Sequence, residues 1–179
     1  SLADYGYLLQ ALLTIYDVSY DKLWLDRAKL LHQTMTRLFE DPQQGGFYNS
    51  VEQSSGLLPI RNKASLDNDM ASGNSAALMG VVMLAQRSDD SGLREQVKRT
   101  ISFFAASLNK RPLALTAMLR AISQYRKPAP APVAYAAQGR VRIKTFYQPS
   151  DNKDDSHMLK IHIDISDGWH MNSHQPLQK

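Results

Sequence analysis

Cysteine is absent from all 179 residues. The chain therefore has no disulfide, no thiolate metal site and no cysteine nucleophile of its own, although this leaves the compartment open. Long apolar runs are missing too. The longest, Ala76 to Ala85, contains Gly80 and is about half of the ~20 residues that a helix needs to cross a bilayer. It predicts a buried helix and no membrane insertion. Blocks of one charge are also lacking. The net charge of +4 is spread over pairs such as Lys98-Arg99, Lys110-Arg111 and Arg126-Lys127, placed near predicted helix ends where cations complement the dipole. Nucleic acid finds no continuous basic surface in that pattern. The opening residues, Ser1 to Tyr5, show no charged leader followed by an apolar core, so no signal peptide is read there.

What is present is helical periodicity. Tyr5, Leu8, Leu9, Leu12, Leu13 and Tyr16 form one wide stripe at i, i+3, i+4, i+7 spacing. After a short link around Ser19, a second stripe runs through Trp24, Ala28, Leu31, Met35 and Leu38, with Asp26, Arg27, Lys29 and Arg37 on the other side. Two amphipathic helices so closely joined predict an antiparallel αα-hairpin. Pro42, Gly45 and Gly46 end that pattern. Residues 46–50 read as a short strand, with Leu57 to Arg61 as its return partner. A third helix, from about Gly73 to Gln86, is apolar nearly all round. A fourth, from Gly92 to about Leu108, has Leu93, Val97, Ile101, Phe104 and Leu108 on one stripe. A fifth opens at Pro112, which suits a first turn, with Leu115, Met118, Leu119 and Ile122 inward.

Residues 127–138, rich in proline and alanine, read as a semi-rigid linker. Beyond them the period drops to two. Val141, Ile143 and Thr145 alternate with Arg140, Arg142 and Lys144. Leu159, Ile161, Ile163 and Ile165 alternate with Lys160, His162 and Asp164. Both patterns predict half-buried strands with a wet polar face, and Asp167-Gly168 predicts a turn. Two strands are not independently stable, so residues 139–179 read as the truncated start of a β-sandwich. The fold class expected is mainly α, with residues 1–126 as one helical fragment.

Three stretches carry a resemblance. They are Asp4-Tyr5 through Leu13 with Trp24-Leu25, Gly45-Gly46-Phe47-Tyr48, and Arg61-Asn62-Lys63 through Asp67 to Ser72-Gly73-Asn74-Ser75. Together they resemble the C-terminal half of the thioredoxin-domain-containing family related to spermatogenesis-associated protein 20. That resemblance implies a partial (α/α)6 toroid of the kind seen in N-acylglucosamine 2-epimerases and six-hairpin glycosidases. It also implies a preceding thioredoxin-like domain and first toroid half as this segment's partners. The chain departs from the family at Ala71, where proline is usual, and at Asn68, where glycine is usual. The stretch Gly168-Trp169-His170-Met171-Asn172 resembles the immunoglobulin-like periplasmic domain of thiol:disulfide interchange proteins. That second resemblance leans towards a periplasmic rather than a cytoplasmic location.

Chemistry, if present, belongs in the loop from Lys63 to Ser75. Asp67 and Asp69 are acid–base candidates, Arg61 and Lys63 anion binders, and Asn74 a partner for a sugar hydroxyl. Ser72 is equally a helix cap accepting from the Ser75 amide. Asp4 and Tyr5 are the second candidate carboxylate and a phenol for the same cavity. His162, His170 and His174 could form a copper or zinc set, but their strand-and-turn pattern reads rather as wet-face polar residues, so no metal and no cofactor are expected. Three functions remain open. One is a non-catalytic toroid half, with or without a carbohydrate-like ligand. Another is a sugar-processing enzyme of the epimerase or glycosidase type using Asp67 and Asp4. The last is an interaction scaffold that forms a homo-oligomer.

Overall fold

Helix capping sets the frame of the helical part. A computed structural model describes residues 1–19, 21–51, 61–88, 90–126, 133–148 and 158–171. Helix α1 covers Leu2–Ser19 and α2 Lys22–Phe39, the latter started by Asp21, whose carboxylate accepts from Leu23 N at 2.9 Å. Helix α3 is Gly73–Ser88, and α4 is Ser91–Lys110, capped by Asp90. A single 3₁₀ turn at Pro112–Ala114 precedes α5, Thr116–Arg126. Proline therefore opens the 3₁₀ turn, and α5 begins four residues later than the sequence suggested.

The buried stripe of α1 is Leu2, Gly6, Leu9, Leu13 and Tyr16. It is rotated from the expected one, because Leu8 is 50% exposed. Gly6 is the reason. A Cβ there would lie 2.7 Å from Ala77 N, and one on Gly80 would lie 2.8 Å from Leu9 Cδ2. The two helices thus meet backbone to backbone, and only glycine permits that approach. Helix α3 is buried continuously over residues 74–82, as its all-round apolar sequence requires. In α2 the core residues are Leu25, Ala28, Met35 and Phe39, whereas Leu31 and Leu38 are only half-buried. Leu115, just before α5, and Met118 and Ile122 within it are buried, but Leu119 is 39% exposed.

One network was not expected at all. His32 Nε2 meets Gln96 Oε1 at 2.7 Å and Thr36 Oγ1 at 3.2 Å, while Gln96 Nε2 donates to Thr36 Oγ1 at 3.2 Å. His32 is therefore a half-buried tie between α2 and α4 rather than a helix-surface group.

The remainder is a three-stranded antiparallel sheet in the order β1-β2-β3. Its strands are β1 Val133–Ala136, β2 Val141–Gln148 and β3 Met158–Ile165. Strand β1 falls inside the stretch read as linker. It is joined to β2 by a tight turn in which Ala137, Gln138 and Gly139 all have positive φ. Register places Ile143 opposite Ile163 and Val141 opposite Ile165 on one face, and Arg142 opposite Asp164 and Lys144 opposite His162 on the other. The expected wet and dry faces are not simply obeyed. Arg142 is 6% exposed, while Ile161 and Ile163 are 55% and 37% exposed.

The chain divides into two compact units, Ser1–Gln86 with Asp90–Ala129, and Arg87–Asp89 with Pro130–Lys179. The molecule is mainly helical, with one small antiparallel sheet.

Candidate functional site

Polar side chains between α2 and α3 gather among the helix ends. Asp41 follows Glu40, the residue that ends α2. Its Oδ1 accepts from the amides of Gln43 at 2.9 Å and Gln44 at 3.0 Å, the signature of an Asx turn. Its Oδ2 accepts from the Tyr48 hydroxyl and from Lys63 Nζ, both at 2.8 Å. Lys63 Nζ also donates to Gly45 O at 2.8 Å and sits 3.8 Å from the centre of the Phe103 ring. The two side chains of this ion pair are only 7% and 9% exposed. The Lys63 hydrogen bond, helped by the Gln44 amide, Tyr48 and Gln43, holds the Asp41 carboxyl well below the usual carboxylate range, against the opposing pull of burial.

The turn beneath this pair is fixed by glycine. Gly45 and Gly46 have φ of 83° and 72°, and a Cβ on Gly45 would lie 2.6 Å from Arg99 O in α4. The expected short strand is reduced to a single antiparallel bridge, Glu40 with Phe47. Its proposed partner, Leu57 to Arg61, lies outside the described residues except for Arg61. From the returning arm, Asn62 O accepts from Asn49 N at 2.9 Å.

Asn74 is fully buried at the start of α3. Its Oδ1 accepts from Phe47 N at 2.9 Å, and its Nδ2 donates to Phe47 O and Ala64 O, both at 2.9 Å. It acts as a strand partner for Phe47. Asp67 plays a similar part. Its Oδ1 accepts from Ser72 N at 2.9 Å and its Oδ2 from Ala117 N at 2.8 Å, so one carboxylate binds amides at the starts of both α3 and α5. Ser72 Oγ accepts from Ser75 N at 3.1 Å, the capping geometry read from the sequence. Arg61 caps the other end of the frame, donating to Ser50 O and Leu38 O at 3.0 Å while lying 4.1 Å from the Tyr48 ring centre.

Asp4 stands apart. It is exposed and accepts from the N-terminal ammonium at 2.8 Å and the Ser1 hydroxyl at 2.9 Å, which lower its pKa. Tyr5 is half-buried, its ring edge-on to Phe39 at 5.3 Å. The structure thus joins Lys63 to Asp41, Asn74 to Phe47 and Asp67 to Ser72, while the candidate carboxylates Asp67 and Asp4 keep separate partners. Asp69 is exposed. Asn68, where the resembled family has glycine, does not have a positive φ, so asparagine meets no backbone penalty there. Sequence reasoning missed Asp41 and Tyr48; the signal available was an aspartate-proline pair directly after a helix, which marks an Asx turn.

A cavity of about 520 Å³ opens at the C-terminal end of α2, with Arg37, Glu40, Gln43, Gln44, Tyr48 and Arg61 on its walls. Arg61 is the expected ligand-binding residue that reaches it. Among the described residues, no group of three or more His, Asp or Glu could hold a metal ion. His162 instead faces Asp164 at 3.2 Å, His170 is exposed, and His157 and His174 lie outside the described residues. No described helix is long and apolar enough to cross a membrane.

Three known proteins are similar to this chain. Spermatogenesis-associated protein 20 of mouse is 29% identical over 122 residues, and the human and rat proteins are 30% and 28% identical over the same length. This chain is their distant homologue. The match covers 68% of the chain but only 15% or 16% of spermatogenesis-associated protein 20, so the chain spans about a sixth of its relatives' length. No protein-family model and no solved structure matches.

Proposed function

We propose that residues 1–126 are a non-catalytic section of an α/α toroid within a longer, thioredoxin-domain-containing protein. In this reading the polar segment from Asp41 to Ser75 is a structural joint. One observation carries it: both oxygens of Asp67, the best acid–base candidate, are occupied by backbone amides at helix starts. A general acid or base needs a lone pair or proton turned toward substrate. Lys63 and Asn74, the expected anion and sugar-hydroxyl binders, are likewise engaged within the chain.

The toroid part of the reading draws on α1. Leu8, Ala11, Ile15 and Val18 recur at i, i+3, i+7, i+10 and are all exposed, Val18 at 83%. This second apolar stripe, beside the buried one, suits a ring helix whose neighbour on one side belongs to the preceding part of the longer protein. The exposed isoleucine face of the sheet supports an analogous reading for residues 139–179, the opening of an immunoglobulin-like sandwich awaiting its second sheet.

The test is Asp67→Asn in the 179-residue chain, read by urea unfolding. Loss of charge and of one acceptor at two helix starts should cost about 1–2 kcal/mol. An unchanged unfolding midpoint, together with lost turnover in the longer protein, would instead revive the sugar-processing enzyme. A second reading, a carbohydrate-like ligand, has its support in the polar cavity at Arg37, Gln43, Gln44 and Arg61. Calorimetric titration with a panel of neutral sugars, repeated on Arg61→Met, checks it; no heat with any sugar removes that reading.

A further inference from the structure

Strand β3 has β2 on one side and, among the described residues, no strand on the other. Such an edge presents alternate N–H and C=O groups ready to pair. We propose that this edge pairs with its own counterpart on a second copy of the chain, antiparallel and centred on His162, making one continuous six-stranded sheet.

The argument is self-complementarity. Around His162 the sequence reads Lys160, Ile161, His162, Ile163, Asp164. In an antiparallel pair centred there, Lys160 of each copy falls opposite Asp164 of the other, and Ile161 opposite Ile163. A two-fold axis perpendicular to the sheet keeps every pair on its own face, so charges meet charges and isoleucines meet isoleucines. Both of these contacts occur twice by symmetry, and His162 meets its own counterpart once on the axis. A one-residue shift would put isoleucine positions on the charged face, so the pattern also specifies register.

Exposure fits this pairing. Lys160 and His162 are exposed, as are Ile161 at 55% and Ile163 at 37%. The acceptor is held in place from β2 and from its own strand: Arg142 Nε donates to Asp164 Oδ2 at 2.9 Å, Lys144 and His162 lie 3.7 Å and 3.2 Å from the same carboxylate, and 22% of that side chain stays exposed. Edges that stay single are commonly blunted by lysine, by proline or by an inward-pointing charge, and β3 carries Lys160. Here the two charges flanking the centre are opposite and equidistant from it, which favours pairing.

The experiment is analytical ultracentrifugation of the 179-residue chain with three variants. The wild type should show a monomer–dimer equilibrium. Lys160→Asp, which sets two carboxylates against two others, should weaken association about tenfold, and Lys160→Arg should preserve it. Ile161→Asp, an exposed position in the single chain, should weaken it by a similar factor, with far-ultraviolet circular dichroism unchanged at low concentration. A wild type that remains monomeric at several hundred micromolar overturns the proposal. So does a dimer indifferent to both Lys160→Asp and Ile161→Asp, and so does one dispersed instead by Val18→Asp on α1. Only the last of these results bears on the toroid reading of residues 1–126, because Val18 lies on the α1 stripe that supports it.

Discussion

The two units treat polar groups in opposite ways. In the helical unit, Asp41 and Asn74 are buried, and these two with Lys63 and Asp67 are engaged by hydrogen bonds within the chain, while most large apolar side chains are sealed. In the sheet, Arg142 is buried on the charged face while Ile161 and Ile163 stand out on the apolar one. Buried polar groups are tolerated only when satisfied, so the helical joint is costly to alter. An exposed apolar face costs little in a single chain. It matters when something covers it. One unit has its specificity inside; the other keeps it at the surface.

Substitutions in the joint should therefore outweigh any in the sheet. The largest effect belongs to Asn74→Ala, which would strip partners from Phe47 N, Phe47 O and Ala64 O. The two groups of Phe47 are buried, and each costs about 1–3 kcal/mol when abandoned, so urea unfolding should register a loss of about 2–6 kcal/mol. Ile163→Thr, on the exposed face, should change stability by less than about 1 kcal/mol. Comparable losses in the two variants would erase the contrast.

Next is Asp41→Asn, which breaks a pair whose side chains are 7% and 9% exposed. Leaving Lys63 buried without its counter-charge should cost about 3 kcal/mol. It also has a pH signature. The folded Asp41 carboxyl titrates below its unfolded value, which lies near 3.9. Between those two values the unfolded chain binds the extra proton, so stability rises with pH. The contribution is complete above about pH 5 and drains away as pH falls toward the folded value. Unfolding midpoints measured from pH 6 to pH 2 should fall more steeply for the wild type than for Asp41→Asn. Asp164, whose pKa is also lowered because Arg142, His162 and Lys144 outweigh burial, should leave a smaller slope in both.

How much of this was legible in the sequence varied with the range of the interaction. Helices α1 to α5 followed from apolar spacing, and the Ser72 cap from a serine set three residues before Ser75, because both signals are local. What failed was rotation and distance. On a helix apolar on two sides, composition cannot say which stripe is inside. Gly6 settled that in α1, and glycine reads from sequence as weakness rather than as contact. The Asp41–Lys63 pair spans 22 residues and the His32–Gln96 contact 64, separations over which no periodicity speaks. Strand β1 was hidden by the proline-rich stretch beside it. Arg61, Lys63, Asp67, Ser72 and Asn74, read from the sequence as ligand or acid–base candidates, all make hydrogen bonds that hold this region together. Residue type alone does not reveal whether a lone pair points to substrate or to a backbone amide.

The smallest expected effect is also the one that separates a section of a ring from a finished domain. Val18 is 83% exposed and Ile15 40% exposed on the outer stripe of α1. Replacing both by serine should alter the stability of the 179-residue chain by no more than about 0.5 kcal/mol each, the range of ordinary surface substitutions. In the longer protein the same positions, if covered by a neighbouring helix, would each lose about 1.5–3 kcal/mol of burial. The same pair of substitutions, near neutral in one context and costly in the other, would show that the stripe is an interior surface waiting for its cover. Equal, negligible effects in both would show that α1 faces water in the whole molecule as well, and the helices would then be a closed bundle in their own right.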